Sequence, residues 1–524
     1  MPPTSLATHP VEPELRRITP RSERSAGPVL VVLAVLGAVV IALLCSRFGA
    51  GIAPDSVNYI AAAHDLAVGR SPTGWDGKPF VFWPPVYPTL LALLLGTGIA
   101  VSVATSALNA LAFGLTIWGT GRVVERWTGQ RELALMSAGC VLICPVLLRV
   151  ATMAWSEPLF IALEVGALAS LSEYLETRAH RSLLLSAFAA SLAVLTRYIG
   201  VVLLVAALPL ILSGARQGVR ARVRHALIYA FVVLLPLALW MGHNARASGT
   251  FTGRRSWMSA AAHPPLFISG FSTVGWIALL LLSILALVAA VRRRPGTGRE
   301  ALLGFSVALG VYLAAILYFA FRGASNPLDF RLLSPAVVPA IVVAAILAAR
   351  RGIVPRRLHP VLLIGAGAAL LFLVTVRRTA RMVSDGAGGY ATSAWATSGL
   401  VRRLQDQPGL DRLFSNTPDA LYYWAGMRAE STPGKFLGYS SRIDPDAIPH
   451  FCREVAAGAA PTYLAWFWIA PYDGLLVPLD EMKESVGLDL VATFPEGELY
   501  RLDSCASPGG GQRAGTAERR RPRR

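Results

Sequence analysis

Apolar residues are collected in long, uninterrupted blocks that short polar segments separate. Blocks such as Pro28 to Cys45 and Ala301 to Phe321 are long enough to cross a hydrocarbon core about 30 Å thick. They do not show the two-residue alternation of a half-buried strand or the narrow stripe of a surface helix. Because lipid offers no water to pair with the backbone, such blocks must be helices. The pattern therefore predicts an all-α polytopic membrane bundle.

Composition and charge agree with this interpretation. Hydrophobic residues make up 54% of the chain and charged residues 15%, whereas soluble domains carry about 25% charged residues. The net charge of +18 includes many arginines in short loops between apolar blocks, where arginines act as orientation signals. No zinc-finger or aromatic–basic pattern accompanies them, so we expect no nucleic-acid partner. The polar segment 1–27 does not resemble a cleavable signal peptide.

The arginine positions predict the topology. Arginines in segment 1–27 place the N-terminus in the cytoplasm. Five further arginine-rich loops should lie on that side: 122–131, 178–181, 216–224, 292–299 and 350–357. They do so only if segment 80–98, whose apolar run is short, stays on the outer side as a re-entrant or juxtamembrane segment. About eleven spans then remain: 28–48, 101–121, 132–149, 156–175, 182–196, 198–213, 224–243, 272–291, 300–321, 333–350 and 358–376.

The composition changes after the last predicted span. Apolar runs shorten to strand length and alternate with helical segments, which predicts a small α/β domain. Its cysteines, Cys452 and Cys505, could form a disulfide if the domain is extracytoplasmic. The predicted organisation has four parts: a cytoplasmic disordered N-terminus (1–27), a transmembrane domain (28–376) with a first outer loop (49–100), a C-terminal extracytoplasmic α/β domain (377–505), and a disordered basic tail (506–524).

Asp55 is the first residue of chemical interest, because it follows the first predicted span closely. It precedes a predicted short helix over Ser56–Val68, so it could simply cap that helix. It could equally act in catalysis at the membrane surface. The residues by themselves leave both roles open.

The first outer loop resembles that of the GT-C superfamily of membrane glycosyltransferases. The resemblance rests on Asp55-Ser56-x-x-Tyr59, Gly69 and Phe82-Trp83-Pro84-Pro85-x-Tyr87-Pro88. It continues through Trp155-Ser156-Glu157-Pro158-Leu159-Phe160, Leu195-Thr196-Arg197-Tyr198-Ile199-Gly200 and Arg331-Leu332-Leu333-Ser334-Pro335, and covers roughly residues 28–350. The closest branch in style contains the protein O-mannosyltransferases and aminoarabinose transferases. Usage rich in Ala, Arg and Gly is typical of a high-GC bacterium, such as an actinobacterium.

The resemblance implies a GT-C-like fold and an enzyme that uses a polyprenyl-phosphate sugar as donor. It also implies an essential aspartate in the first outer loop and inversion at the sugar. Protein-mannosylating members carry an adjacent acidic pair here, whereas Ser56 follows Asp55 in this chain. The acceptor is therefore left open as an envelope glycan, lipid or protein.

Transfer from a lipid phosphate needs a base for the acceptor hydroxyl and cations for the leaving phosphate. Asp55 is the candidate base, and Arg197 and Arg331 are the candidate phosphate-binding residues. Arg197 could instead extend to the interface, and Arg331 could pair with Asp329 or stay solvated.

Glu157 begins a predicted span, where its carboxylate could interact favourably with the helix dipole. It could also orient the acceptor, or bind a divalent metal together with Asp55. No cofactor is otherwise implied. Tyr59, Trp83 and Tyr87 could pack on a sugar or belong to an interfacial aromatic belt.

Two other functions are compatible with a membrane bundle. A lipid-linked-sugar flippase or transporter would need charges along a path through the membrane, and Glu164 is the main carboxylate well inside a span. A non-catalytic scaffold would explain the topology but not the polar motifs gathered on one face.

Overall fold

The protein is described by a computed structural model. It describes the following residues: 25–213, 217–253, 277–279, 281–285, 288, 298–321, 330–352, 380–407, 412–436, 443–457, 461–470 and 473–505. All statements on structure concern these residues.

The membrane part is a bundle of α-helices. Twelve named helices lie between residues 25 and 352: α1 (Gly27–Leu44), α2 (Pro54–Ala67), α3 (Val86–Leu95), α4 (Val101–Thr128), α5 (Arg131–Ile143), α6 (Pro145–Ala151), α7 (Glu157–Thr177), α8 (His180–Val194), α9 (Val201–Leu212), α10 (Val219–Ser248), α11 (Arg299–Phe321) and α12 (Phe330–Arg350). A short 3₁₀ turn, Tyr198–Gly200, precedes α9.

Six of these helices are long and apolar enough to span a membrane, namely α1, α4, α7, α10, α11 and α12. A seventh span results if α5 and α6, which meet at a 56° bend, are counted as one. The predicted spans 182–196 and 198–213 correspond to the shorter apolar helices α8 and α9. Predicted span 358–376 and most of 272–291 lie outside the described residues. The described part therefore holds six or seven candidate spans, fewer than the eleven predicted.

The segment predicted to stay on the outer side contains a short helix. α3 has ten residues, which corresponds to about 15 Å at 1.5 Å per residue. A hydrocarbon core is about 30 Å thick, so α3 is too short to cross it. α3 packs instead on α2, and together they form one end of the bundle.

Residues 393–505 contain a five-stranded mixed sheet with strand order β2-β1-β3-β5-β4. The strands are β1 (Arg412–Ser415), β2 (Glu430–Ser431), β3 (Thr462–Phe467), β4 (Val486–Phe494) and β5 (Gly497–Cys505). β1 is parallel to β2 and β3, and β5 is antiparallel to β3 and β4. Five short helices accompany the sheet: α13 (Ser393–Ala396), α14 (Gly399–Gln405), α15 (Pro418–Ala425), α16 (Ala447–Ala456) and α17 (Leu479–Ser485).

The C-terminal part rests on the same end of the bundle as α2. Helix α15 packs against α2, and the ring of Trp424 meets Phe48 edge-on with centroids 6.5 Å apart. The Trp424 indole also donates a 2.8 Å hydrogen bond to the carbonyl of Tyr390. Cys452, on α16, is disulfide-bonded. The side chain of Cys505 lies outside the described residues.

Candidate active site

Three backbone segments meet near the start of α2 and form a frame for the site. Segment 51–52 exchanges backbone hydrogen bonds of 2.8 to 3.2 Å with segments 152–154 and 388–390. The approach is close enough that a Cβ atom on Gly389, whose φ is +61°, would lie 1.8 Å from the Ile52 carbonyl oxygen. Only glycine allows this contact without a backbone shift. The frame ties the start of α2 to the start of α7 and to the C-terminal part.

Asp55 lies in the first turn of α2, but it does not cap the helix. Ala53 is extended and Pro54 occupies the first helical position, which suits a helix start. The Ser56 hydroxyl accepts the 3.1 Å hydrogen bond from the Ala53 amide. The Asp55 carboxylate points elsewhere and pairs with Arg331 at 2.8 Å.

Glu157 connects the two arginines. It is the first residue of α7, and its side chain is fully buried. Its carboxylate contacts Nη1 of Arg197 at 2.6 Å and also pairs with Nε of Arg331. The four charged residues named from the sequence thus form one continuous chain in the order Arg197, Glu157, Arg331, Asp55.

The charges of this chain balance, with two carboxylates and two guanidinium groups. Such pairing is required because an isolated buried charge is costly. Glu157 is inaccessible, whereas the side chains of Asp55, Arg197 and Arg331 are 30%, 20% and 20% exposed. The accessible members are therefore one carboxylate and two arginines, the combination that proton transfer and phosphate binding need.

Three buried polar atoms around this chain have no hydrogen-bond partner among the described residues. They are Nε of Arg197, Oε2 of Glu157 and Nε1 of Trp155. Buried polar groups are normally paired, and an unpaired one destabilises a protein by about 1–3 kcal/mol. Two donors and one acceptor without partners at an accessible charged cluster indicate a site that binds a polar ligand.

Trp155 supports the arginine at the centre of the chain. The Arg331 guanidinium carbon lies 4.3 Å from the centroid of the Trp155 ring, in cation–π geometry. The neighbouring Phe330 ring lies 6.5 Å from Trp155 and carries Arg149 at 3.8 Å on its face. This packing fixes the beginning of α12 against the corner between α6 and α7.

An aromatic cluster forms the wall of the site on the side of α3. Tyr59 packs edge-on against Trp83 and Tyr87, with ring centroids 5.9 and 5.1 Å apart. The Tyr59 hydroxyl lies 3.2 Å from that of Ser156, which in turn accepts a 3.2 Å hydrogen bond from Arg197. Burial, reinforced by the Asp55 carboxylate, raises the pKa of Tyr59, so its hydroxyl is protonated at neutral pH.

The exposure of these rings bears on the prediction that they pack on a sugar. Tyr59 and Tyr87 are buried, at 1% and 0% exposure, and Trp83 is half-buried. In this arrangement the two tyrosines support the wall, and Trp83 is the ring with a free surface.

The donor set does not fit a resident divalent metal. Both carboxylates of the site are already paired with arginines, which repel a cation. In the part of the chain that the structure describes, no group of three or more His, Cys, Asp or Glu side chains has metal-site spacing. Hard divalent cations take six or more oxygen ligands, largely carboxylates and waters.

The sequence named the four charged residues but missed three contributors. Trp155 and Ser156 stand in the Trp155–Phe160 motif, so their positions beside Glu157 were a usable signal. No signal in the sequence pointed to Asn109. Its side-chain amide donates a hydrogen bond of 3.2 Å to the carbonyl of Ala151 and another to the carbonyl of Met153. Asp329, considered as a partner for Arg331, lies outside the described residues.

The chain is similar in sequence to one protein family and in fold to several solved structures. Residues 83–241 match the family model of dolichyl-phosphate-mannose-protein mannosyltransferases. A structure of ArnT from Cupriavidus metallidurans bound to undecaprenyl phosphate superposes over 91% of this chain and 98% of its own, with a TM-score of 0.58 and 13% identity. The apo form gives a TM-score of 0.53 at 15% identity, with the same coverage.

A more distant structural match is the arabinofuranosyltransferase AftD from mycobacteria. It covers 90% of this chain but only 41% of AftD, with a TM-score of 0.50 and 15% identity. A search of curated proteins finds no significant match.

These findings identify the fold as that of the GT-C superfamily of membrane glycosyltransferases. Within it, the mannosyltransferase family match extends from Trp83 into α10 and includes Glu157 and Arg197. Asp55 and Arg331 lie outside the matched segment, so their place in the site comes from the geometry described above.

Proposed function

We propose that this protein is a membrane glycosyltransferase that moves one sugar from a polyprenyl-phosphate donor to an acceptor hydroxyl. The observation that carries the proposal is the chain Arg197–Glu157–Arg331–Asp55, with unpaired donors beside it, in a GT-C fold. The match to ArnT bound to undecaprenyl phosphate supports the lipid class of the donor. The acceptor is a hydroxyl group of an envelope glycan, lipid or protein.

The reaction is a single displacement. Asp55 accepts the proton of the acceptor hydroxyl while the acceptor oxygen bonds to the anomeric carbon of the sugar. The bond between that carbon and the phosphate oxygen breaks, and the electron pair leaves with the polyprenyl phosphate. The configuration at the sugar inverts. Asp55 is suited to act as the base because it is the exposed one of the two carboxylates, Asp55 and Glu157.

Arg331 and Arg197 stabilise the phosphate as its negative charge grows. Guanidinium groups bind phosphate through two parallel hydrogen bonds, and both arginines are partly exposed. Glu157 is a positioning residue: it is buried between the two arginines and holds their separation. No metal ion is needed in this scheme, since the arginines supply the positive charge.

For the membrane arrangement we propose the full topology that the sequence predicts. Eleven spans, including those beyond the described residues, place the N-terminus in the cytoplasm and the C-terminal α/β domain outside. The disulfide at Cys452 supports this, because disulfides persist in oxidising compartments. Cys505 is the candidate partner, since Cys45, Cys140 and Cys144 are free.

Transport is the less suitable function. Among the described residues, Glu164 is the one carboxylate buried within a span between the two ends of the bundle. Its Oε2 atom is buried and has no hydrogen-bond partner among the described residues. A transport route would require a series of such groups.

Lipid analysis after gene deletion tests the proposed function. Loss of the transferase should cause its polyprenyl-phosphate sugar to accumulate, and mass spectrometry of the lipid extract would identify that sugar. Re-expression of the wild type should remove the accumulated lipid, and Asp55→Asn should not. An unchanged lipid profile, together with no sugar transfer by the purified protein from that lipid class, would overturn the proposal.

A further inference from the structure

A second polar cluster lies at the opposite end of the bundle. Helix α7 starts at Glu157, in the candidate active site, and ends at Thr177. Its 21 residues correspond to about 30 Å at 1.5 Å per residue, the thickness of a hydrocarbon core. The C-terminal end of α7 therefore lies at the headgroup level of the other leaflet.

Three side chains from three helices are joined there by hydrogen bonds. The Tyr174 hydroxyl of α7 lies 2.8 Å from Nδ1 of His225 on α10. Nε2 of His225 lies 3.0 Å from Nε2 of His180, which begins α8. His225 is buried, whereas His180 is exposed. The arrangement connects the interior of the bundle to its surface.

The charged groups that act on His225 are all basic: His180, Arg224 and Arg178. Two donor atoms of Arg178, Nε and Nη1, are buried and have no partner among the described residues, and neither has Nε of Arg222. The acidic residues near the end of α7 pair with another arginine, Arg126. Several buried donors that have no partner among the described residues indicate an anion site.

The backbone of Arg178 has an unusual conformation. Arg178 follows α7 with φ of 61°, and in the described part of the chain it is the one residue other than glycine with a positive φ. Glycine commonly occupies this position after a helix because it is unstrained there. The position holds an arginine whose guanidinium lies 5.4 Å from the Tyr174 ring, beside the histidines.

A shallow apolar cleft, open to its surroundings, adjoins the cluster along α10. It has a volume of about 440 Å³ and is lined by two arginines and four aliphatic residues: Arg220, Arg224, Val219, Val223, Leu227 and Ile228. Arg224 belongs to both the cleft and the charged cluster. A ligand that fills both must carry a negative headgroup and an apolar chain.

We propose that this end of the bundle binds an anionic phospholipid of the leaflet opposite the candidate active site. The lipid phosphate accepts hydrogen bonds from Arg178, Arg224 and His180, and an acyl chain lies along Val223 and Leu227. Clusters of basic residues between membrane helices at this level suit such headgroups. A free phosphate ion would leave the apolar cleft unfilled. The proposal does not depend on the transferase reaction.

The test uses the full-length protein in nanodiscs of phosphatidylcholine, with and without phosphatidylglycerol. We expect phosphatidylglycerol to raise the temperature of thermal unfolding and to be retained in native mass spectra. Arg178→Gly should weaken lipid retention roughly tenfold or more, because charge-assisted hydrogen bonds are lost. Since glycine relieves the positive φ, this variant should fold at least as stably in phosphatidylcholine. The double variant Arg178→Gly/Arg224→Gln should show neither the stabilisation by phosphatidylglycerol nor its retention.

The matched control is Arg402→Gln/Arg403→Gln, which removes the same charge from exposed positions on α14. It should keep the response to phosphatidylglycerol. Equal responses of all variants, or no response of the wild type, would overturn the proposal. An equal effect of inorganic phosphate in phosphatidylcholine nanodiscs would show a simple anion site and refute a lipid site.

Discussion

The guanidinium of Arg331 lies 2.8 Å from the carboxylate of Asp55, which joins the start of α12 to the start of α2. The same guanidinium pairs with buried Glu157 and stacks on Trp155. A donor phosphate that binds Arg331 competes with these partners for the guanidinium donors. Asp55 is the exposed carboxylate, so it is the partner that a phosphate can displace. Donor binding would then free Asp55 to act as the base.

Asp55→Asn separates catalysis from helix capping. The amide keeps the size of the side chain but cannot accept a proton, so we expect turnover to fall by about 10²–10⁴-fold. Stability should fall only modestly, because Ser56 supplies the contact at the start of α2 and Glu157 remains paired with Arg331. Sugar transfer and thermal unfolding, measured on the same preparation, check both expectations.

Asp76→Asn is the matched control, an exposed aspartate in the same loop that pairs with Lys78. It should leave transfer unchanged. Normal transfer by Asp55→Asn would remove Asp55 from the reaction.

Arg331→Lys tests whether phosphate binding depends on the planar shape of the guanidinium group. Lysine keeps the charge but loses the planar fork that binds phosphate and stacks on an aromatic ring. We expect KM for the donor to rise by roughly 10–100-fold, consistent with the loss of one charge-assisted hydrogen bond. Arg197→Lys should act in the same direction. Steady-state kinetics at varied donor concentration measure the effect.

Arg412→Lys serves as the control for this substitution, because Arg412 pairs with Glu430 at 3.2 Å in the distant sheet. Its kinetics should match those of the wild type. If Arg331→Lys and Arg197→Lys both kept a normal KM for the donor, the phosphate would have to bind elsewhere.

The candidate site was partly predictable from the sequence, because its charged residues stand in motifs next to membrane spans. Asp55, Glu157, Arg197 and Arg331 could each be named in this way. Their mutual pairing could not be predicted, since nothing local specifies which arginine meets which carboxylate. The pairing depends on how α7, α12 and the turn before α9 pack.

The fold, too, could be predicted only in part from the sequence. Apolar runs located α1, α4 and α7 closely, because lipid imposes a length on each span. Short runs were ambiguous: the predicted spans at α8 and α9 are helices of 15 and 12 residues. The contact of segment 388–390 with segment 51–52 was unpredictable, because backbone bridges between distant segments leave little pattern in the sequence.

Trp155 has two separable functions, which two variants can distinguish. Trp155→Phe keeps an aromatic face for Arg331 but removes the unpaired Nε1 donor. Trp155→Leu removes both. If Nε1 contacts the ligand, Trp155→Phe should raise KM for the donor modestly. Trp155→Leu should also lower kcat, because Arg331 loses about 1–2 kcal/mol of cation–π stabilisation. Identical kinetics for the Leu variant and the wild type would exclude a positioning role.

Asp419 should make the stability of the C-terminal part depend on pH. Burial raises the pKa of Asp419 to about 6, although the Tyr390 hydroxyl donates a hydrogen bond to it. An exposed aspartate titrates near pH 4, so the folded state binds the proton more tightly than the unfolded state. The contribution of Asp419 to stability is therefore greatest below about pH 4 and is lost as the pH rises through about 6.

Asp419→Asn removes this dependence. At pH 7 and above it should be more stable than the wild type by up to about 3 kcal/mol, at 1.36 kcal/mol per pKa unit, and the advantage should vanish near pH 4. Thermal unfolding between pH 4 and 8 measures the difference, with Asp480→Asn on the exposed side of α17 as control. A pH-independent difference between variant and wild type would contradict the prediction.

Cysteine labelling tests the proposed topology at three exposed positions. Thr97 follows α3, Arg181 lies at the start of α8, and Glu481 lies on α17. α3 is about 15 Å long and cannot cross the membrane, so Thr97→Cys should react with an impermeant thiol reagent only from outside. Glu481→Cys should also react from outside, and Arg181→Cys only after the membrane is opened. Glycines 98 and 129 are less suitable positions, because their positive φ would strain a cysteine. Labelling of Thr97→Cys from the cytoplasm would mean that the chain crosses at α3, which would invert every arginine loop that follows.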